Sequence, residues 1–440
     1  MIEQPGRFHL GYRYDTATGK RTEEPVLLGM RDWMAGVICL GASGAGKTDL
    51  CARALEEVLL QAIPAIVLDT RGDLASRSFS TDGARSRVLA DRAVFRVYTP
   101  GNTAGLAVNA LHSLHPPTAL GDLTWARHTN VLREYAALVV SGLLALAGVE
   151  PTTGQDGKHE RREHILLATI FESAWRADLP LDLELLIRMI QNPPVQRIGA
   201  FDLNTFYPRS ERASLTLALS RLAASPALSA WQQGEPLDIA ALLQPLRNGG
   251  TNPAGRTRAN IFNLAPLRDA ERHFLVMVLL AHLLLWARTH AATSVLHCLF
   301  CIDGADGLYL PTAGHVPAGT AADAPAADVS ATRVTSTSTA LSTVLHQGGK
   351  AGVGMLLTAQ DPSGLDLGIL KGIYTGTYLV GHYPEVSWCT RVLENLKVAG
   401  APIEPDELLP LLSRMPPRVF LAAGAANERR VSDAVRLFVL

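Results

Sequence analysis

Short, uniformly apolar runs and longer stretches of helical period divide the chain. Gly36-Val37-Ile38-Cys39-Leu40 is apolar at almost every position, the pattern of a strand covered on both faces. Lys47 to Gln61 then carries Leu50, Leu55, Val58 and Leu59 on one face, which predicts an amphipathic helix. Ile63 to Asp69 and Val94 to Tyr98 read as two more buried strands. Ahead of them, Phe8 to Leu28 alternates weakly about the turn Thr16-Ala17-Thr18-Gly19-Lys20, so a hairpin is expected there. From about Ala110 the period becomes helical, as in His164 to Phe171 and Leu181 to Ile190, and Pro193-Pro194 and Pro208 punctuate it. Arg256 to Leu264 reads as a strand returning from this helical insertion, and Glu271 to Arg288 as a strongly apolar helix. Four more strands are expected at Leu296–Asp303, Val353–Ala359, Thr375–Val380 and Val419–Ala422. The segment 311–338, rich in Ala, Pro, Thr and Ser, has little to bury and reads as a flexible surface loop. Strands alternating with helices make the chain an α/β protein. Its expected divisions are 1–109 (hairpin and first half of the core), 110–255 (helical insertion) and 256–440 (second half of the core).

Composition changes this picture little. At 440 residues, 48% apolar and with a mean hydropathy of +0.14, the chain has ample material for a large core. Its formal charge of −1 offers no field for nucleic acid, so any such contact must be local. The five cysteines are scattered. Cys298 and Cys301 lie three apart on one strand and point to opposite faces, which argues against a metal or redox pair. The N-terminus shows no apolar signal region. The longest apolar runs, Leu138–Val149 and Phe274–Trp286, fall short of a bilayer span and read as buried helices. A reducing, cytoplasmic setting without membrane contact is expected.

Candidate chemistry sits between the first core strand and its helix. Gly41-Ala42-Ser43-Gly44-Ala45-Gly46-Lys47-Thr48 matches the phosphate-binding loop G-x-x-x-x-G-K-[ST] in full, in its required strand–loop–helix setting. Glycines let the backbone turn its N–H groups onto phosphate oxygens, and the helix that opens at Lys47, Thr48 and Asp49 adds its dipole. Lys47 would reach the β/γ-phosphates of ATP, and the Thr48 hydroxyl would ligate Mg²⁺. Asp303, ending an apolar strand, has the form of a Walker B carboxylate and would be the second metal ligand. Gln360, ending another strand, has the place of a residue contacting the γ-phosphate or attacking water; a polar strand cap is the alternative.

Taken together these stretches resemble the HerA–FtsK superfamily of P-loop ATPases, specifically its HerA-like branch of DNA-translocating motors. The resemblance rests on Gly41 to Thr48, Val67-Leu68-Asp69-Thr70-Arg71-Gly72-Asp73-Leu74, Tyr98-Thr99-Pro100-Gly101, and Ile302-Asp303-Gly304-Ala305. Ala351 to Gln360 and Pro416 to Leu421 continue it in family order. It implies a RecA-like P-loop sheet, ATP and Mg²⁺ as cofactors, and a homo-hexamer or a mixed ring with a paralogue. It also implies double-stranded DNA and a nuclease or other effector as partners.

Three positions depart from the family. Gly304 stands where the family carries the glutamate that activates water, Gly349 where it offers an arginine to the neighbouring subunit, and Gly381-His382 where it often has Gly-Arg. Asp306 and Lys350 are the candidates to stand in for the base and the cation. A hydrolysis-impaired member is therefore expected, in which Gly304→Glu with Gly349→Arg would raise turnover. Candidate DNA contacts are Arg209, Arg212, Arg256 and Arg258, and 40 residues ahead of the P-loop leave no room for the family's amino-terminal β-barrel. The alternatives are a nucleotide-gated assembly or regulatory subunit and, with less support, a secretion or conjugation coupling ATPase.

Overall fold

Strands without a polar face must be covered on both sides, and the chain meets this demand with one large sheet between two layers of helices. The computed structural model describes residues 4–15, 18–77, 79, 84–102, 105–117, 125–149, 162–247, 255–308, 331–360, 376–398, 405–424 and 435–439. The sheet strands are β1 (Arg7–Asp15), β2 (Lys20–Gly29), β3 (Val37–Leu40), β4 (Ala65–Asp69), β5 (Ala93–Tyr98) and β6 (Thr257–Asn263). They continue with β7 (Cys298–Asp303), β8 (Val353–Ala359), β9 (Thr377–Val380), β10 (Val419–Gly424) and β11 (Val435–Val439). Their spatial order is β2-β1-β11-β10-β9-β3-β8-β7-β4-β6-β5. From β9 to β5 every pairing is parallel, and from β10 to β2 every pairing is antiparallel.

Among the described residues, the helices of six residues or more are α1 (Met30–Ala35), α2 (Lys47–Leu60), α3 (Ala84–Arg92), α4 (Trp125–Leu146), α5 (Arg162–Arg176), α6 (Leu183–Gln191) and α7 (Arg209–Ala223). After them come α8 (Asp269–Thr289), α9 (Ala331–Lys350), α10 (Val386–Val398) and α11 (Pro405–Leu412). Alternate side chains of β4 enter separate cores: Ala65 and Val67 pack with α2, Ile66 and Leu68 with the layer containing α4 and α8. Cys298 and Cys301 divide in the same way, so the two thiols do lie on opposite faces of the sheet.

The apolar helix α8 is buried on nearly every side from His273 to Ala287 and forms the floor onto which the helical segment folds. Two stretches, Arg127–Leu146 within α4 and Asp269–Thr289, are long and apolar enough to cross a membrane, longer than the runs visible in the sequence. The apolar window of Asp269–Thr289 is 78% buried within the fold, which marks a core helix.

Some expectations change. Helix α9 begins at Ala331, so 331–338 is helical, while 311–330 lies outside the described residues. The helix is anchored by its second half, where Ala340, Leu341, Val344 and Leu345 are buried. Of the arginines considered for DNA, Arg212 and Arg258 are buried; Arg258 donates to Tyr98 Oη at 2.8 Å and Asn260 Oδ1 at 3.2 Å, so neither is presented to a partner. Strand β11 was not anticipated; it pairs with both β1 and β10 and so joins the N-terminal hairpin to the main sheet.

Candidate functional site

The parallel strands end together, and four of them aim their carboxyl ends at the loop after β3. In register, Asp303 of β7 lies beside Asp69 of β4, and Ala359 of β8 beside Leu40 of β3. This is where open α/β sheets hold ligands.

The loop from Gly41 to Thr48 is shaped by glycine. Gly44 and Gly46 have φ of +81° and +97°, and a Cβ on Gly46 would come within 3.0–3.2 Å of Arg418. Ala45 N donates to Ala42 O at 3.1 Å, closing the turn, and the first α-helical bond runs from Leu50 N to Gly46 O at 3.0 Å. The N–H groups of Lys47, Thr48 and Asp49 therefore have no intrahelical acceptor and are available to an anion. Ser43 and Gly44 are exposed, whereas Gly41 and Ala45 are buried against the strands. A Cβ on Gly44 would meet nothing within 4 Å, so the crest of the loop is open.

Lys47 is 5% exposed, and its Nζ donates to the carbonyls of Gly41 (2.6 Å) and Ala42 (2.9 Å). Burial holds its pKa below the usual lysine value. Thr48 Oγ1 donates to Asp303 Oδ2 at 2.9 Å. The other Asp303 oxygen accepts from Thr358 Oγ1 at 2.6 Å, and Thr358 Oγ1 in turn accepts from Gly304 N at 2.9 Å. A hydroxyl and a carboxylate, 255 residues apart in sequence, thus meet beside an anion-receptive helix start, with the carboxylate fixed from behind. These donors suit Mg²⁺, a hard cation that takes few protein oxygens and shares the rest with phosphate and water.

Gln360, half-buried at the end of β8, donates its backbone N–H to Asp306 Oδ1 at 3.1 Å. With the amide oriented to satisfy its neighbours, its side-chain oxygen accepts from Arg71 Nη1 at 2.8 Å and Nη2 at 3.2 Å. Arg71 Nη2 also donates to Asp306 Oδ2 at 3.0 Å. Asp306, the candidate substitute base, is thus already engaged through both oxygens. Asp49 reaches neither Thr48 nor Asp303; Arg77 (2.7 Å) and Arg418 (2.8 Å) hold its carboxylate. Burial works against the Asp49 charge, but the two guanidinium groups prevail and keep its pKa below the usual range.

Sequence reasoning missed Thr358, Arg71, Arg77 and Arg418. Arg418 carried a local signal, following Pro416-Pro417; its φ is +65°, unusual for a residue with a Cβ, and its N–H donates to Ala45 O at 2.9 Å. Asp69 is fully buried and accepts from the N–H groups of Gly72 (2.8 Å), Ala75 (2.7 Å) and Arg71 (3.3 Å). Burial raises its pKa against those bonds, and its role is to brace the loop after β4.

The departing glycines are sterically determined. A Cβ on Gly304, at φ +82°, would lie 2.3 Å from Thr70 Oγ1 and 3.3 Å from Arg71 Nε. A Cβ on Gly349 would lie 2.4 Å from Met34 O, where α9 packs on α1. Gly349 is buried, so an arginine there could not be offered to a neighbour without moving α1; the following Lys350 is exposed. Gly381 and His382 back the P-loop: Gly381 N donates to Leu40 O (2.7 Å) and Ala42 N to His382 O (2.9 Å).

No protein-family model matches the chain, and no curated protein matches it by sequence. Solved structures do match. VirB4 of Thermoanaerobacter pseudethanolicus aligns with TM-score 0.52 and 13% identity, over 100% of this chain and 97% of its own. The bacterial conjugative coupling protein TrwBdeltaN70 gives 0.53 and 13%, over 100% and 94%. The plasmid coupling protein TrwB in complex with the non-hydrolysable ATP analogue ADPNP gives 0.54 and 13%, over 100% and 95%. At such identity the likeness is one of fold: the chain has the α/β architecture of VirB4 and TrwB.

Proposed function

We propose that the chain is an ATP- and Mg²⁺-binding P-loop ATPase of the HerA–FtsK type that turns over slowly and works in a ring. The observation that carries this reading is the 2.9 Å contact between Thr48 Oγ1 and Asp303 Oδ2 beside the helix start at Lys47. In it the P-loop N–H groups and Lys47 would cradle the phosphates, Thr48 and Asp303 would hold the metal, and Gln360 would serve the γ-phosphate end of the nucleotide. The metal neutralises phosphate charge when bound. Slow turnover follows from Gly304, which has no group to take a proton from water. General-base catalysis is typically worth ~10²–10⁴ in rate.

The HerA-like motor branch, acting on double-stranded DNA with a nuclease or other effector in the cytoplasm, remains the favoured setting. A conjugation coupling ATPase is the second reading, drawn from the likeness in fold to TrwBdeltaN70, a bacterial conjugative coupling protein. A nucleotide-gated assembly subunit is the third possibility, distinguished by nucleotide binding without DNA-stimulated phosphate release.

Calorimetry tests the reading. Wild type is expected to bind ATP in a Mg²⁺-dependent manner, and Lys47→Ala to abolish binding; equal affinity in the two proteins would refute the site.

A further inference from the structure

We infer that Arg71 is the residue through which this chain distinguishes a nucleoside triphosphate from a diphosphate, supplied from within the subunit and held in reserve by Asp306. The inference rests on the nucleotide-site reading above. Arg71 stands at the tip of β4, facing the position from which a side chain at 304 would project: its Nε is 3.3 Å from the place of a Gly304 Cβ. Glycine at 304 therefore leaves room that an arginine fills. The site has a cation where the resemblance expects a general base.

The guanidinium is aimed by two contacts, Asp306 Oδ2 at 3.0 Å and the Gln360 side-chain oxygen at 2.8 Å. Gln360 ends β8, the strand paired with the P-loop strand β3, so Arg71 is tied to the residue expected beside the γ-phosphate. The backbone beneath it is rigid, because Asp69 takes the N–H groups of residues 71, 72 and 75. Only the side chain has to move.

The contact with Asp306 is also exchangeable. The Arg71 and Asp306 side chains are 34% and 25% exposed, and ion pairs in such positions hold weakly. A terminal phosphate offers more charge and a geometry that a guanidinium grips in bidentate fashion. Arg71 would exchange Asp306 for the γ-phosphate of a bound triphosphate. With a diphosphate it would stay on Asp306, and Asp306 would keep the Gln360 N–H in either state.

The test is calorimetry on the full chain with Mg²⁺ and either ADP or the β,γ-imido analogue of ATP. Arg71→Ala is expected to reduce the triphosphate-to-diphosphate affinity ratio about tenfold or more, the worth of a charge-assisted hydrogen bond, with ADP affinity almost unchanged. Arg71→Lys should restore part of the ratio, and Asp306→Asn should raise it by removing the competitor for the guanidinium. A purely structural ion pair predicts otherwise: Arg71→Ala and Asp306→Asn would weaken both nucleotides alike, and that result would overturn the inference while leaving the nucleotide site intact. A wild type that binds neither nucleotide would overturn both. Should Arg71→Ala fail to fold by thermal unfolding without nucleotide, Arg71→Lys and Asp306→Asn carry the same decision.

Discussion

Position 304 decides how the site can be altered. A side chain there meets Thr70 Oγ1, which is itself engaged with the carbonyls of Asp303 (2.8 Å) and Gly304 (2.9 Å). It would also force a side-chain residue into a left-handed backbone. Backbone strain and overpacking together cost about 2–5 kcal/mol. The expectation that Gly304→Glu with Gly349→Arg would raise turnover therefore has to be withdrawn, since both positions are closed by backbone or bonded hydroxyl atoms. Gly304→Glu is now expected to lower the denaturation midpoint and to leave phosphate release no faster than wild type. A stable Gly304→Glu protein with accelerated release would show that Thr70 and Arg71 yield readily.

Among the elements, α8 imposes a dependence on pH. His282 projects from it to accept or donate within a small polar cluster, its Nε2 lying 2.8 Å from Ser113 Oγ and 3.0 Å from Tyr135 Oη. Burial, with a smaller contribution from His112, pulls its pKa from 6.5 down to about 3. The folded state thus prefers the neutral ring. Above pH 6.5 both states hold His282 neutral and nothing is lost. As pH falls below 6.5 the unfolded chain takes up a proton that the folded chain refuses, and stability declines until about pH 3. At pH 5 the loss is at most about 2 kcal/mol, because the side chain retains some exposure. His282→Gln should show a flatter midpoint between pH 7 and pH 5 than wild type in chemical denaturation. Parallel profiles for the two proteins would assign the acid sensitivity to other groups.

At the scale of the molecule, the proposed ring reading puts ATP at a subunit boundary and so requires copies of this chain or of a partner. The exposed crest at Ser43 and Gly44 leaves the loop open on the solvent side of this subunit. A ring, most simply a hexamer of this chain or a mixed ring with an active paralogue, is therefore the expected assembly. Mass measurement at micromolar concentration, with ATP, Mg²⁺ and DNA present, should find it. A strictly monomeric mass under those conditions, with candidate partners added, would count against a ring motor and favour a single-subunit switch.

Much of this was readable before folding, for a local reason. A run such as Val37 to Leu40 has to be a covered strand because no position offers a polar face, and Gly41 to Thr48 has to curl because its glycines permit φ values other residues avoid. Asp303 could be read as a strand-end carboxylate that belongs beside the P-loop, where Thr48 meets it. The structure alone decided which residues those elements bring together. Thr358 steadies Asp303 across 55 residues, and Arg71 reaches Asp306 across 235, because β4, β7 and β8 became neighbours in the sheet. Strand β11, Val-Arg-Leu-Phe-Val, has the composition of a strand, but its place was set by the edges of β1 and β10 that it joins. The glycine at 304, read along the sequence as a lost catalytic group, became in three dimensions the space that Thr70 and Arg71 occupy. Periodicity and backbone permission act within a few residues, whereas steric exclusion between distant segments exists only after the strands have taken their order.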